Sequence, residues 1–257
     1  MSYKKSSELV QEICIIAETK SKTHWGRWTV MGFMAGAYVA FGAAVAIAVG
    51  KGITAPGWIG LSKFMFAAVF PVALILVIIG GAELFTGNCM VLPIGCFSKK
   101  TTWKLLFSNW IIVYIANFIG SIFIAWLIYK IGLFSSEPYT SSVIAIAQKK
   151  VSLNFTQAFL SGVGCNWLVA LAVWLAVSAD DISSKILAIW FPIMAFAAIG
   201  FEHSVANMFF IPLGIFHGSQ LANWGNFFTS NLIPVTLGNI VGAFVFVGTA
   251  YFWVYKK

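Results

Sequence analysis

Six long apolar runs decide most of what this chain can become. They cover roughly residues 28–50, 64–97, 105–131, 154–178, 186–215 and 229–255. Crossing the hydrocarbon core takes about 20 predominantly apolar residues, so each run is long enough to span a bilayer. Only 9% of the 257 residues are charged, against about 25% in a soluble domain. The solvent for this fold is lipid. In lipid every backbone polar group needs a partner within the protein, so the expected architecture is an all-α membrane bundle. One transmembrane domain, 1–257, is expected, with no cleavable signal peptide and no soluble domain.

The net charge of +8 has no soluble face to occupy. It reads as topology and not as a nucleic-acid surface. With the N-terminus in the cytoplasm, the inside segments hold Lys4, Lys5, Lys20, Lys22, Arg27, Lys99, Lys100, Lys104, Lys185, Lys256 and Lys257, eleven of the sixteen basic residues. The outside segments hold Lys51, Lys63, Lys130, Lys149 and Lys150. The positive-inside rule therefore puts both termini in the cytoplasm. Ahead of the first run, "ELVQEICIIAETK" places Leu9, Ile13 and Ile16 on one face of a helix over about 6–22. The periodicity fits equally an amphipathic helix on the inner membrane surface and one packed under the bundle.

The chain repeats itself. "GAELFTGNCMVLPIG" (81–95) and "GFEHSVANMFFIPLG" (200–214) share G-x-E-x4-N-x4-P-x-G without a gap. Asn109, Asn117 and Gly120 recur as Asn231, Asn239 and Gly242. Upstream, "FMAG" (33–36) resembles "FLSG" (159–162), and Phe70-Pro71 faces Phe191-Pro192 two residues out of step. Two units of three spans follow, about 28–131 and 154–255. An odd span count turns the second upside down: an inverted repeat, the arrangement of transport proteins with a site near the midplane. Proline and glycine in the second and fifth runs predict broken helices there. Helix ends aimed at the midplane offer N–H groups to an anion.

Glu83 and Glu202 are the only acidic residues inside the apolar runs. Their symmetry suggests a structural role, in which they accept hydrogen bonds from loop amides, close to Asn88 and Asn207. A cation or proton site is the alternative. His203 has no such symmetry, because Leu84 takes its place in the first copy. A scaffold does not require it, so it reads as pore-lining. His24 and His217 lie outside the spans, and a solvated role is expected for His217. No His/Cys/Glu cluster has metal-ligand spacing, and neither metal nor cofactor is expected. Cys14, Cys89, Cys96 and Cys165 lack C-x-x-C spacing; the latter three lie in apolar runs and read as small buried hydrophobes.

"GGAELFTGN" (80–88), "CNWLVALAVW" (165–174) and "GFEHSVANMF" (200–209) strongly resemble the formate/nitrite transporter family, over essentially all six spans. The resemblance implies an aquaporin-like protomer with a pore of its own, a homopentamer, and transport of a small monovalent anion such as formate, nitrite, hydrosulfide or lactate. It implies two apolar constrictions around a polar chamber. Phe70 and Leu74 match one, Val169 and Phe196 the other side, and Leu84 and Thr86 the loop of the broken second helix. His203 matches a central histidine and Asn207 its partner. A vestibule lysine falls on Lys150, with Lys149 adjacent.

A bare anion in such a constriction loses hydration worth tens of kcal/mol, and the neutral acid far less. Lys150 would gather the anion, Thr86, Asn207 and helix-end amides would hold it, and His203 would pair with it or pass it a proton. An intramembrane enzyme built on Glu202 and His203 is the rival reading, but Glu83 repeats Glu202 where no histidine stands. A neutral-solute channel lacks its Asn-Pro-Ala signatures here.

Overall fold

Because lipid offers no hydrogen bonds, the backbone is nearly all helix. The computed structural model describes residues 3–256; Lys257, counted above among the inside basic residues, lies outside them. α1 (Ser6–Lys22) precedes α2 (Trp25–Gly50). The second apolar run forms α3 (Ile59–Val69), α4 (Val72–Ile79) and α5 (Phe85–Phe97), and α6 (Trp103–Lys130) closes the first half. The second half is α7 (Tyr139–Val151), α8 (Phe155–Ser178), α9 (Ile182–Ile199), α10 (Ser204–Phe216) and α11 (Trp224–Tyr255). α11 is a single rod that relaxes to π geometry at Phe227–Leu232 and Phe244–Thr249. Six of these spans are long and apolar enough to cross a membrane, with α3 and α4 acting as one, and α5 and α10 are shorter apolar helices.

The two halves run in opposite directions. Lys4 N–H donates to Ser178 O at 3.0 Å, and Tyr3 bridges Ala179. The end of α8 therefore lies at the face where α1 leads into α2. α7 leads into α8 from the other face. The second and fifth runs break at matching places. Gly81 (φ 74°) follows α4, and Gly200 (φ 89°) caps α9 in the left-handed region, where a side chain would be strained. The helix resumes only at Phe85 and at Ser204. The copies differ upstream. Phe70-Pro71 interrupts the first, dividing α3 from α4, whereas α9 runs unbroken through Pro192.

Helices cross where glycine removes the side chain. A Cβ on Gly120 would meet Phe33 O and Ala37 N; one on Gly242 would meet Val163 O and Trp167 N. These contacts correct the register read from sequence. Gly32, not Gly36, corresponds to Gly162, one helical turn from the "FMAG"/"FLSG" pairing. Four small or apolar letters recur easily inside spans made of such residues, and only the crossing fixes the phase.

α1 is not a surface float. Leu9, Val10, Ile13, Cys14 and Ala17 are buried, and the helix packs under the bundle against α5. Ala17 fits where Gly95 lacks a side chain, and on the opposite face Ala147 of α7 fits against Gly214 in the same way. α7 is thus the counterpart of α1. The four cysteines are free and buried. His217 is not simply solvated: its ring stands edge-on to Tyr129 at 5.2 Å between centroids.

Close crossing gives a sharp test. A Cβ on Gly238 would enter the carbonyl of Phe159, whereas one on Gly60 would meet nothing. Gly238→Val should cost about 3 kcal/mol or more and abolish the monodisperse peak in detergent size exclusion. Gly60→Val should leave it intact.

Candidate functional site

Unwound backbone at membrane depth must be bonded from elsewhere, and each break is bonded in the same way. Asn117 Oδ1 accepts from Phe85 N–H at 3.0 Å, and its Nδ2 donates to Gly32 O (2.7 Å) and Glu83 O (2.9 Å). In the second copy Asn239 Oδ1 accepts from Ser204 N–H at 2.9 Å, and its Nδ2 donates to Gly162 O (2.8 Å) and Glu202 O (3.0 Å). One asparagine therefore ties three elements together. Asn166, unremarked in the sequence, donates from Nδ2 to Thr86 O (3.1 Å) and Asn239 O (2.7 Å), joining the two copies.

The carboxylates do not accept from loop amides. Glu83 Oε2 accepts from Asn88 Nδ2 at 2.9 Å and from Lys20 Nζ at 2.7 Å. Glu202 Oε2 accepts from Asn207 Nδ2 at 2.6 Å, and both of its oxygens lie 3.0 Å from Lys150 Nζ. Asn88 and Asn207 also donate to Asn109 Oδ1 (2.9 Å) and Asn231 Oδ1 (2.7 Å). The reason is reach. The loop amides are few and point elsewhere, whereas a lysine on the adjoining amphipathic helix spans the gap. Lys150, and not Lys149, makes the pair. Lys20 of α1 makes its twin. A signal was present: Ala17, Lys20 and Gly32 recur as Ala147, Lys150 and Gly162, each 130 positions on. The repeat thus reaches beyond 28–131 and 154–255 to include α1 and α7.

Among the positions where the copies differ, two polar residues touch. His203 stands where Leu84 stands in the first copy, and Thr86 stands where Val205 stands in the second. His203 caps α10, its Nδ1 accepting from Ala206 N–H at 3.1 Å. That bond places the imidazole proton on Nε2, which donates to Thr86 Oγ1 at 3.0 Å. The first helix-end amides, Phe85 and Ser204 N–H, are spent on asparagines. Asn207 is spent too, because both of its N–H bonds go to Glu202 and Asn231. It does for Glu202 what Asn88 does for Glu83, and its side chain has no N–H left for an anion.

Two cavities approach this pair from opposite faces. One of 420 Å³ lies on the side of the termini, lined by Lys4, Lys20 and Lys185 with Glu12, Glu83 and Asp180. The other, of 190 Å³, is lined by Lys51, Lys63, Lys149 and Lys150 with Glu202 as the one acid. Between them lies a void of 10 Å³, about the least that holds a single water. Its lining includes Leu74, Leu84, Phe70, Phe196 and Val169, and His203 is the one polar side chain. The apolar residues group differently from the family-based expectation. Leu74 and Leu84 also line the first cavity, while Phe70 and Phe196, edge-on at 5.6 Å between centroids, line the second. Phe70 lies at the break between α3 and α4 and Leu74 lies within α4, at opposite ends of the void.

The ion pair can be tested directly. The Lys150 and Glu202 side chains are 14% and 7% exposed. Removing one partner of a buried pair costs about 3–5 kcal/mol. Lys150→Ala should therefore lower the melting temperature in detergent markedly, and Lys150→Ala/Glu202→Gln should regain most of the loss. Equal losses would mean that the uncompensated carboxylate is not what destabilises the single variant.

The comparisons agree with this fold. The sequence model described as Formate/nitrite transporter matches residues 7–253. The chain is 46% identical to a probable formate transporter of Methanothermobacter thermautotrophicus, over 100% of this chain and 98% of that protein. Among solved structures, an FNT family ion channel superimposes with a TM-score of 0.88 at 35% identity, covering 96% of this chain and 98% of that one. A pentameric formate channel with formate bound superimposes with a TM-score of 0.82 at 34% identity, covering 91% and 98%. The chain belongs to the formate/nitrite transporter family.

Proposed function

We propose that the chain is a pore for a small monovalent anion or its conjugate weak acid, of the formate or nitrite class, acting as a homopentamer in the cytoplasmic membrane with both termini inside. A single channel domain, 1–257, carries one path per protomer. The observation that carries this reading is the 10 Å³ apolar neck between two cavities lined by charged residues, with His203 its one polar side chain.

Leu74 and Leu84 form one constriction and Phe70 and Phe196 the other, with Val169 on the wall between them. Such a neck excludes a hydrated ion by size. A dehydrated ion faces a Born penalty of tens of kcal/mol unless it is neutralised. His203 Nε2–H is the donor that lines the neck, and Thr86 Oγ1 accepts it. An arriving anion takes the Nε2–H bond in place of Thr86. When Nδ1 takes up a second proton and gives up Ala206 N–H, the Nε2 proton can pass to the anion, and the neutral acid leaves through apolar walls. Glu83, Glu202, Asn88 and Asn207 hold the breaks open. Lys150 is neutralised by Glu202, so attraction falls to Lys51, Lys63 and Lys149 beside it. The second cavity therefore gathers anions more strongly than the first, where acids balance lysines.

Two measurements test this. In proteoliposomes, formate or nitrite flux should rise as pH falls, and His203→Phe should lose that response; an unchanged pH profile would overturn the role of His203. Burial first, and then the charge of Lys149, holds the Lys51 ammonium below the ordinary lysine range. A lysine held low gives up its charge early as pH rises. The half-saturating concentration from the face opposite the termini should therefore climb on the alkaline side, and Lys51→Gln should flatten that climb.

A further inference from the structure

The corner where α5 ends carries a feature that the pore does not use. α5 closes with Lys100 N–H donating to Gly95 O at 2.8 Å and Lys99 N–H to Cys96 O at 3.1 Å. α10 closes in the same way, through Ser219 N–H to Gly214 O and Gly218 N–H to Ile215 O, both at 3.0 Å. The turn needs one left-handed residue. The second copy supplies Gly218 (φ 83°), but the first supplies Lys99 (φ 60°). A lysine there is strained where glycine is not. The positive-inside rule calls for lysines in this loop, but it does not call for one at the position its own repeat fills with glycine.

The side chain lines a cavity of 560 Å³ between α1, this corner and the last turn of α11. Lys99, Lys100 and Lys256 form its polar rim, and Ile15, Phe97 and Phe252 line its apolar side. Among the described residues neither Lys99 nor Lys256 has a carboxylate within ion-pair distance, and Lys100 reaches Glu18 only at 3.7 Å. Lys256 Nζ lies 5.4 Å from the Phe252 ring centre. Trp103 packs on Phe97 at 5.7 Å between centroids. Aromatic residues at span ends mark the level of the lipid headgroups. Three cations above an apolar wall, at headgroup depth, match a phosphate with acyl chains below it.

We propose that this corner is a binding site for one anionic phospholipid, its phosphate on Lys99 and Lys256 and its chains along Phe97 and Phe252. The symmetric corner, with Gly218 and Ser219 in place of Lys99 and Lys100, has no such site.

The test uses the full-length protein in mixed micelles, with phosphatidylglycerol or phosphatidylcholine added, read by melting temperature and by native mass spectrometry. Phosphatidylglycerol should raise the melting temperature and remain bound. Each lysine removed should weaken binding about fivefold. Lys99→Gly is the discriminating variant. It should be more stable than the parent in phosphatidylcholine, because the strain is gone, yet lose the phosphatidylglycerol increment. Lys256→Gln should lose the increment without that gain. A full increment in both variants would overturn the proposal. So would an equal rise with inorganic phosphate alone, which would make the corner a free-anion site. A change of oligomeric mass in Lys99→Gly with lipid retention unchanged would also overturn it, assigning the corner to a neighbouring protomer.

Discussion

The structure depends on one requirement: two stretches of unwound backbone at membrane depth must be hydrogen-bonded without water. Each break carries a carboxylate, which is expensive in hydrocarbon unless it is paired. The same solution appears twice. A glutamate in the loop is held by an asparagine one turn into the next helix and by a lysine from an amphipathic helix. A second asparagine, on the last span of each unit, collects the loose backbone groups. Removing any part leaves a buried charge or an orphaned amide, which is why α1 and α7 are integral to the bundle.

Symmetry then separates scaffold from chemistry. What both copies share holds the fold: Glu83 and Glu202, Asn88 and Asn207, Lys20 and Lys150. What they do not share lies at the neck. Leu84 against His203 and Thr86 against Val205 are two such mismatches, and the polar member of each bonds to the other. A wholly symmetric neck would be either entirely apolar or doubly polar. One donor in a greasy constriction is the combination that lets a small anion be neutralised and still leave. The cavities differ as well, one balanced in charge and one with an excess of lysine. The same comparison exposes Lys99 at the α5 corner, where the other copy has glycine.

Much of this was legible in the chain alone. Apolar length fixed the spans, because bilayer thickness is a property of the solvent. The gapless pattern from Gly81 to Gly95 and from Gly200 to Gly214 fixed the repeat and where its helices break. The lone histidine opposite a leucine was visible as an exception to that pattern. These are local or periodic features, and sequence order carries them directly.

Tertiary packing decided the rest. Loop amides were the expected partners of Glu83 and Glu202, and lysines from helices 63 and 52 residues away took that place. Asn207 was expected to face the solute, and its two donors turned out to be spent on the scaffold. Phe70 and Leu74, four positions apart in the chain, fell at opposite ends of the void. "FMAG" and "FLSG" were aligned one turn out of phase. The physical reason is common to all four. Sequence spacing says which residues share a helix face, but the phase of that face against its neighbours is set by where two backbones can approach, and only the folded crossing shows it.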